Sequence, residues 1–71
     1  MKNASIKRSL KVFLKASEKA EKSAGKMYER FAVKARKGGF DEIAKAFEAT
    51  AKSEFAHEKL MKSLAAKLTK K

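Results

Sequence analysis

Apolar residues recur at alternating steps of three and four along two stretches of this 71-residue chain. Such spacing places the side chains on one face of an α-helix, in the pattern of coiled coils and helical bundles. The first stripe comprises Ile6, Leu10, Phe13, Ser17, Ala20, Ala24, Met27 and Phe31, and the second comprises Phe40, Ile43, Phe47, Thr50, Glu54, His57, Met61, Leu64 and Leu68. The pattern therefore predicts two long amphipathic helices.

The one strong break between the stripes is a pair of glycines, Gly38 and Gly39. A glycine just past a helix supplies the left-handed residue that commonly ends it, and a short connection forces the flanking helices to run antiparallel. The chain contains no proline, and its alanine, lysine, glutamate and leucine residues favour helix. The sequence predicts an all-α fold over residues 1–71, an antiparallel two-helix hairpin with helix 1 at about 4–37, a turn at 38–40 and helix 2 at about 41–69.

A single hairpin of this size is too small to cover its own apolar stripes. Domains this short usually need a disulfide, a metal or a partner chain for stability, and the lack of cysteine excludes disulfides and thiolate metal sites. Pairing two hairpins into a four-helix bundle would bury both stripes. We therefore expect a homodimer, formed either by simple packing or by exchange of helices.

The charge is strongly positive, with 19 Lys and Arg against 8 Asp and Glu and a net charge of +11. Such a balance is typical of proteins that bind nucleic acid or an acidic membrane surface. The lysines nevertheless take most outward positions of both helices, which favours solvated faces over one focused patch. No apolar run approaches the roughly 20 residues of a membrane-spanning helix, and basic residues interrupt the N-terminal stretch where a signal peptide would be apolar. We expect a soluble cytoplasmic protein, with neither nucleic acid nor a membrane as its main partner.

Two polar residues, Glu54 and His57, occupy the centre of the second stripe. Burying an ionised carboxylate costs several kcal/mol unless it is paired or ligates a cation. A Glu and a His three residues apart project from one helical face, so both can reach one ion. A hairpin that turns at residues 38–39 places Glu21, on the edge of the first stripe, roughly across from residues 55–57. We expect the three side chains to converge at one level of the hairpin.

Doubling these three residues in a dimer would collect four carboxylates and two imidazoles inside one bundle. This is the ligand set of di-metal carboxylate bundles, in which two helices each give a Glu and the other two each give Glu-x-x-His. It suits two divalent ions of the iron, manganese or zinc type. The Glu-x-x-His motif alone is weak, and a salt-bridged cluster around a neutral histidine is the simpler alternative. The location of both residues on the stripe, with a third acid at the facing level, favours the metal site.

A longer pattern accompanies these residues. A Glu lies seven residues before a Tyr, at Glu21 and Tyr28, and a helix rich in small residues, a glycine turn and Glu-x-x-His follow, with 33 residues from Glu21 to Glu54. Over about residues 14–65 this combination resembles the first half of a rubrerythrin, a member of the ferritin-like di-iron carboxylate family. The resemblance implies a four-helix bundle with a di-metal centre.

The resemblance also implies a role for each matching residue. Glu21 would be a terminal ligand, Glu54 a carboxylate bridging both metals, and His57 a terminal nitrogen ligand. Tyr28 would hydrogen-bond a ligating carboxylate, with a packing role at the edge of the stripe as its alternative. Two iron ions per dimer are expected, with manganese or zinc as alternatives, and the partners would be peroxide or dioxygen and an electron-donor protein.

The chain departs from the family pattern in three ways. Rubrerythrins carry both hairpins in one chain and usually append a rubredoxin-like domain with cysteine-ligated iron, whereas this sequence has one hairpin and no cysteine. The extra Glu that one half of rubrerythrins carries three residues after the first ligand is Ala24 here. We therefore expect a symmetric site with fewer carboxylates. Peroxidase and ferroxidase activities both stay open, and the alternatives are a basic helical nucleic-acid-binding module and a designed or minimal bundle with a structural metal site.

Overall fold

The computed structural model describes residues 2–69, with side chains from residue 4 onward, and contains two helices, α1 (Lys2–Lys37) and α2 (Asp41–Thr69). The helices pack against each other as an antiparallel hairpin, a rod of 57 × 14 × 11 Å. The predicted all-α fold and the packing of its two helices are confirmed. Residue 1 and residues 70–71 of the predicted hairpin lie outside the described residues. Over residues 2–69, neither helix combines the length and the apolarity that a membrane crossing requires.

The turn between the helices is a Schellman motif. The backbone N–H of Phe40 donates to the carbonyl of Ala35 with an N–O distance of 2.8 Å, and that of Gly39 donates to the carbonyl of Arg36 at 3.1 Å. Gly39 has a φ of +85°, which glycine adopts far more readily than other residues. Asp41 then begins α2 with a negative charge at the positive end of the helix dipole. The chain thus reverses within three residues, as the glycine pair predicts.

An ion pair ties the end of α1 to α2 beside the turn. The Arg36 guanidinium donates to both carboxylate oxygens of Glu48, at 2.8 and 3.1 Å, and lies 3.8 Å from Asp41. The hydrogen bond from Arg36 lowers the pKa of Glu48 below its ordinary value. Because the pair is exposed, it fixes the geometry of the turn more than it adds stability.

Small residues are the most buried residues of the two helices. Ala32, Ala44 and Ala51 are 0 to 3 % exposed, and Gly25 is also buried. They recur at intervals of seven, Gly25 with Ala32 on α1 and Ala44 with Ala51 on α2, so each pair lies on one face of its helix. On α1 this line, continued by Leu14, runs beside the predicted stripe and not along it.

Most large apolar side chains of the two predicted stripes face solvent in the single hairpin. Their exposed fractions range from 36 % at Leu64 to 63 % at Phe13, and no large side chain among the described residues is fully buried. This set, called the apolar face below, comprises Ile6, Leu10, Phe13, Met27, Phe31, Phe40, Ile43 and Leu64. A hairpin alone therefore leaves its stripes uncovered, as its size predicts.

Candidate metal centre

Glu21, Glu54 and His57 converge near the middle of the hairpin. Each offers one ligand atom, and the three atoms all lie within 4.8 Å of one another. The His57 Nδ1 atom is 3.5 Å from Oε1 of Glu21, across the gap between the helices. Glu54 and His57 are neighbours on α2 because three residues make nearly one helical turn. The structure brings the three residues to one place, as the sequence predicts, while their role as ligands stays a prediction.

The three side chains are open to solvent on one side. The His57 side chain is 56 % exposed and that of Glu21 is 28 % exposed, while Glu54 is half-buried. Glu54 and His57 belong to the second apolar stripe, so the opening lies on the apolar face of the hairpin. A cation here would have protein ligands on one side and free coordination positions on the other.

The close approach of the two carboxylates changes the titration of one of them. A hydrogen bond shared with Glu21 raises the pKa of Glu54 above its ordinary value, because the pair holds one proton more easily than two negative charges. Partial burial and the charge of Glu21 act in the same direction, and the charge of His57 opposes them. A divalent cation would remove this repulsion.

The donor set fits a divalent transition metal. Two carboxylates and an imidazole suit iron, manganese and zinc, whereas soft ions prefer sulfur donors, which the site lacks. An ion about 2.1 Å from each ligand atom holds two donors no more than about 4.2 Å apart. The donor atoms all lie within 4.8 Å of one another, which is at most about 0.6 Å beyond that limit, so small side-chain rotations suffice to bring them together.

Tyr28, two helical turns after Glu21, packs against an aromatic residue of α2. Its ring centroid is 5.7 Å from that of Phe47, with the planes tilted by 57°. Within residues 4–69, its hydroxyl makes no hydrogen bond to a carboxylate. The packing role is therefore visible, and the hydrogen bond to a ligating carboxylate stays a prediction.

Sequence reasoning missed a close contact beside the site. The ring of Phe55, the residue after Glu54, lies directly against Gly25, which follows Glu21 by one helical turn. The available signal was that Gly25 is the one glycine within either helix over residues 2–69.

One of the comparisons with known proteins identifies a family. The family model described as Rubrerythrin matches residues 12–71, which include Glu21, Tyr28, Glu54 and His57. No curated protein and no solved structure matches the chain.

Proposed function

Because the chain belongs to the rubrerythrin family, we propose that it is a di-metal carboxylate protein whose site is completed by a second copy of the hairpin. One observation carries the proposal: Glu21, Glu54 and His57 converge on the open side of the hairpin. Three protein ligands on one side are half of what a pair of metal ions requires. A second copy supplies the other three.

The level of the site along the rod favours sharing between two copies. Glu21 lies near the midpoint of α1 (Lys2–Lys37), and Glu54 lies near the midpoint of α2 (Asp41–Thr69). A two-fold axis perpendicular to the rod at this level therefore brings the two sets of ligands together. It also lays the two hairpins side by side in opposite directions, along their full length.

The apolar face supports the same arrangement. Eight large side chains that are each 36 to 63 % exposed make a surface that is unfavourable in water, and they flank the site on both sides along the rod. Covering this surface with an identical one removes apolar area from water in both copies. Dimerisation would also enclose the metal ligands.

The ligands determine which chemistry the dimer can perform. Two neighbouring iron ions, when bound, supply two electrons together to peroxide or dioxygen. When iron is bound, Glu54 would ligate both ions, and Glu21 and His57 would each ligate one. Tyr28 would orient a ligating carboxylate. The reaction class is then peroxide reduction, with the iron re-reduced by a donor protein, or oxidation of ferrous iron, in which the iron itself is the reductant. We place the protein in the cytoplasm.

Anaerobic loading with ferrous iron followed by addition of peroxide tests the proposal. We expect the wild type to consume peroxide and to oxidise two ferrous ions per dimer faster than the same concentration of free iron. Glu54→Ala should lose this activity, whereas Glu29→Ala, which removes an exposed carboxylate of α1 away from the ligands, should keep it. Oxidation no faster than that of free iron, or equal rates in both variants, would rule out the proposed reaction.

A further inference from the structure

A close contact between Gly25 and the Phe55 ring lies next to the metal ligands. A Cβ atom built on Gly25 would lie 2.6, 2.8 and 2.9 Å from three carbons of the Phe55 ring. Ordinary van der Waals contacts of a Cβ begin at about 3.4 Å. The ring therefore rests on the bare backbone of α1, and a methyl group at position 25 fits only if the ring shifts.

A glycine at position 25 lowers the stability of α1. Within a helix, glycine destabilises by about 0.5–1 kcal/mol relative to alanine, and the other buried small residues of the interface, Ala32, Ala44 and Ala51, are alanines. Thus the helix interface has a glycine, not an alanine, at the position that the Phe55 ring contacts. Gly25 follows Glu21 by one turn of α1, and Phe55 follows Glu54 directly on α2.

The metal ligands tolerate little increase in the distance between the helices. Their donor atoms already spread over up to 4.8 Å, while an ion bound at about 2.1 Å to each requires donors within about 4.2 Å. Moving the Phe55 ring from 2.6 Å to an ordinary contact displaces it by most of an ångström. If α2 moves with the ring, the rotations that Glu54 and His57 need to reach an ion held by Glu21 become larger, and binding weakens.

We propose that Gly25 and Phe55 form a positioning pair, which sets the separation of α1 and α2 so that Glu21 and Glu54 reach a common ion. This role rests on the proposed metal site, and neither residue touches the metal. Gly25 permits the close approach, and the Phe55 ring fills the space beside it. The pair acts on metal binding through helix separation alone.

Two measurements test the positioning pair. One is the zinc affinity, measured by competition with a chromophoric chelator, and the other is the visible spectrum of the cobalt-loaded protein. Gly25→Ala should weaken zinc binding roughly 10–100-fold and reduce the cobalt absorption, as losses of supporting residues around metal sites do. Removing the ring as well, in Gly25→Ala/Phe55→Ala, eliminates the clash and should restore most of the affinity. Ala44→Val is the matched control, because it overpacks the same interface about 15 Å away along α2. It should lower the melting temperature and leave the zinc affinity unchanged.

Three results would overturn this role. The first is a zinc affinity of Gly25→Ala equal to that of the wild type. The second is a loss of zinc affinity in Ala44→Val as large as that in Gly25→Ala. The third is a folded double variant that binds zinc no better than Gly25→Ala. If Gly25→Ala does not fold, the double variant decides: near-wild-type zinc binding supports the pair, and loss of binding contradicts it. If the wild type binds neither zinc nor cobalt, the proposed metal site itself is contradicted. If the wild type and Gly25→Ala both bind zinc normally, only the positioning role is contradicted.

Discussion

Glu21 and Glu54 bring two carboxylates into the same small volume, and His57 adds an imidazole whose Nδ1 atom is 3.5 Å from Glu21. In the hairpin without metal, this arrangement is unfavourable at neutral pH, since the hydrogen bond shared with Glu21, partial burial and the charge of Glu21 all raise the pKa of Glu54. With a divalent cation the same three groups would become ligands. On the proposed function, the site residues therefore oppose folding slightly by themselves and would favour it once a metal is bound.

Removal of Glu54 should affect metal binding more than removal of the Tyr28 hydroxyl. Glu54→Ala eliminates a carboxylate that the dimer would use twice as a bridge, so its loss should exceed the roughly 10–100-fold effect typical of groups that only orient a ligand. Tyr28→Phe keeps the ring that packs on Phe47. Metal content after dialysis measures both variants. Equal metal content in Glu54→Ala and the wild type would contradict the role of Glu54.

The raised pKa of Glu54 predicts a pH dependence of the metal-free protein. A group whose pKa is higher in the folded state stabilises folding below its unfolded pKa, and this contribution is lost as the pH rises through the folded value. At neutral pH, metal-free wild type should therefore melt below Glu54→Gln, and the gap should close on acidification through the raised pKa. Melting curves over a pH series in chelator measure it, and groups common to both proteins, such as Glu48, cancel. A gap that is absent or independent of pH would contradict it.

The turn and the helix interface depend on individual small residues at the scale of whole elements. Gly39 ends α1 with a positive φ, and nothing lies within 4 Å of a Cβ atom built there. Its requirement is thus purely conformational. By contrast, Gly25 has an ordinary helical backbone and is required for space. The same residue type therefore meets a conformational requirement at position 39 and a steric one at position 25.

Replacement of Gly39 separates these two kinds of requirement. Gly39→Ala should destabilise the hairpin by about 1–3 kcal/mol, because alanine is strained at this φ, while Gly39→Asn should cost less, because asparagine tolerates the left-handed region. Both variants should bind zinc with wild-type affinity once folded. Denaturant unfolding and zinc titration provide the two measurements. If Ala and Asn have the same effect, the backbone conformation is not the cause.

The sequence predicts the helices, the turn and the convergence of the three acidic and imidazole residues, because each depends on helical period and chain reversal. It does not reveal which of two adjacent lines on α1 contacts α2. The helical spacing of apolar residues predicts that Phe13 and Met27 are interior, yet both are exposed in the hairpin. The smaller Gly25 and Ala32 are buried against α2 in their place. The choice depends on how closely two backbones can approach, which only the packed structure reveals.

Charge is distributed unequally along the whole molecule. At the open end of the hairpin, residues 4–19 and 58–69 together contain eight Lys and Arg residues but only two acidic ones. Residues 20–57, towards the turn, contain eight basic and six acidic residues. Two hairpins with their open ends together would concentrate positive charge at one end of the dimer. The opposite orientation places each basic end beside the nearly balanced end of the partner, so repulsion favours antiparallel hairpins.

Spin labels test this orientation. The chain lacks cysteine, so Lys37→Cys introduces one labelling site beside the turn. Position 37 is 16 residues beyond Glu21, so antiparallel hairpins that meet at the site should separate the two labels by about 48 Å at 1.5 Å per residue. Hairpins with their turns together would give a distance near the width of a bundle, about 10–20 Å. A dominant short distance in pulsed dipolar spectroscopy would contradict the antiparallel dimer.

Native mass spectrometry of the purified protein with added zinc or ferrous iron tests the central claim most directly, because one spectrum reports both the number of chains and the number of bound ions. We predict a dimer that carries two ions, no monomer with a bound ion, and a metal-free species when Glu54 is replaced by alanine. A monomer that binds one ion by itself, or a wild type that stays metal-free at all metal concentrations, would contradict a di-metal site shared between two hairpins.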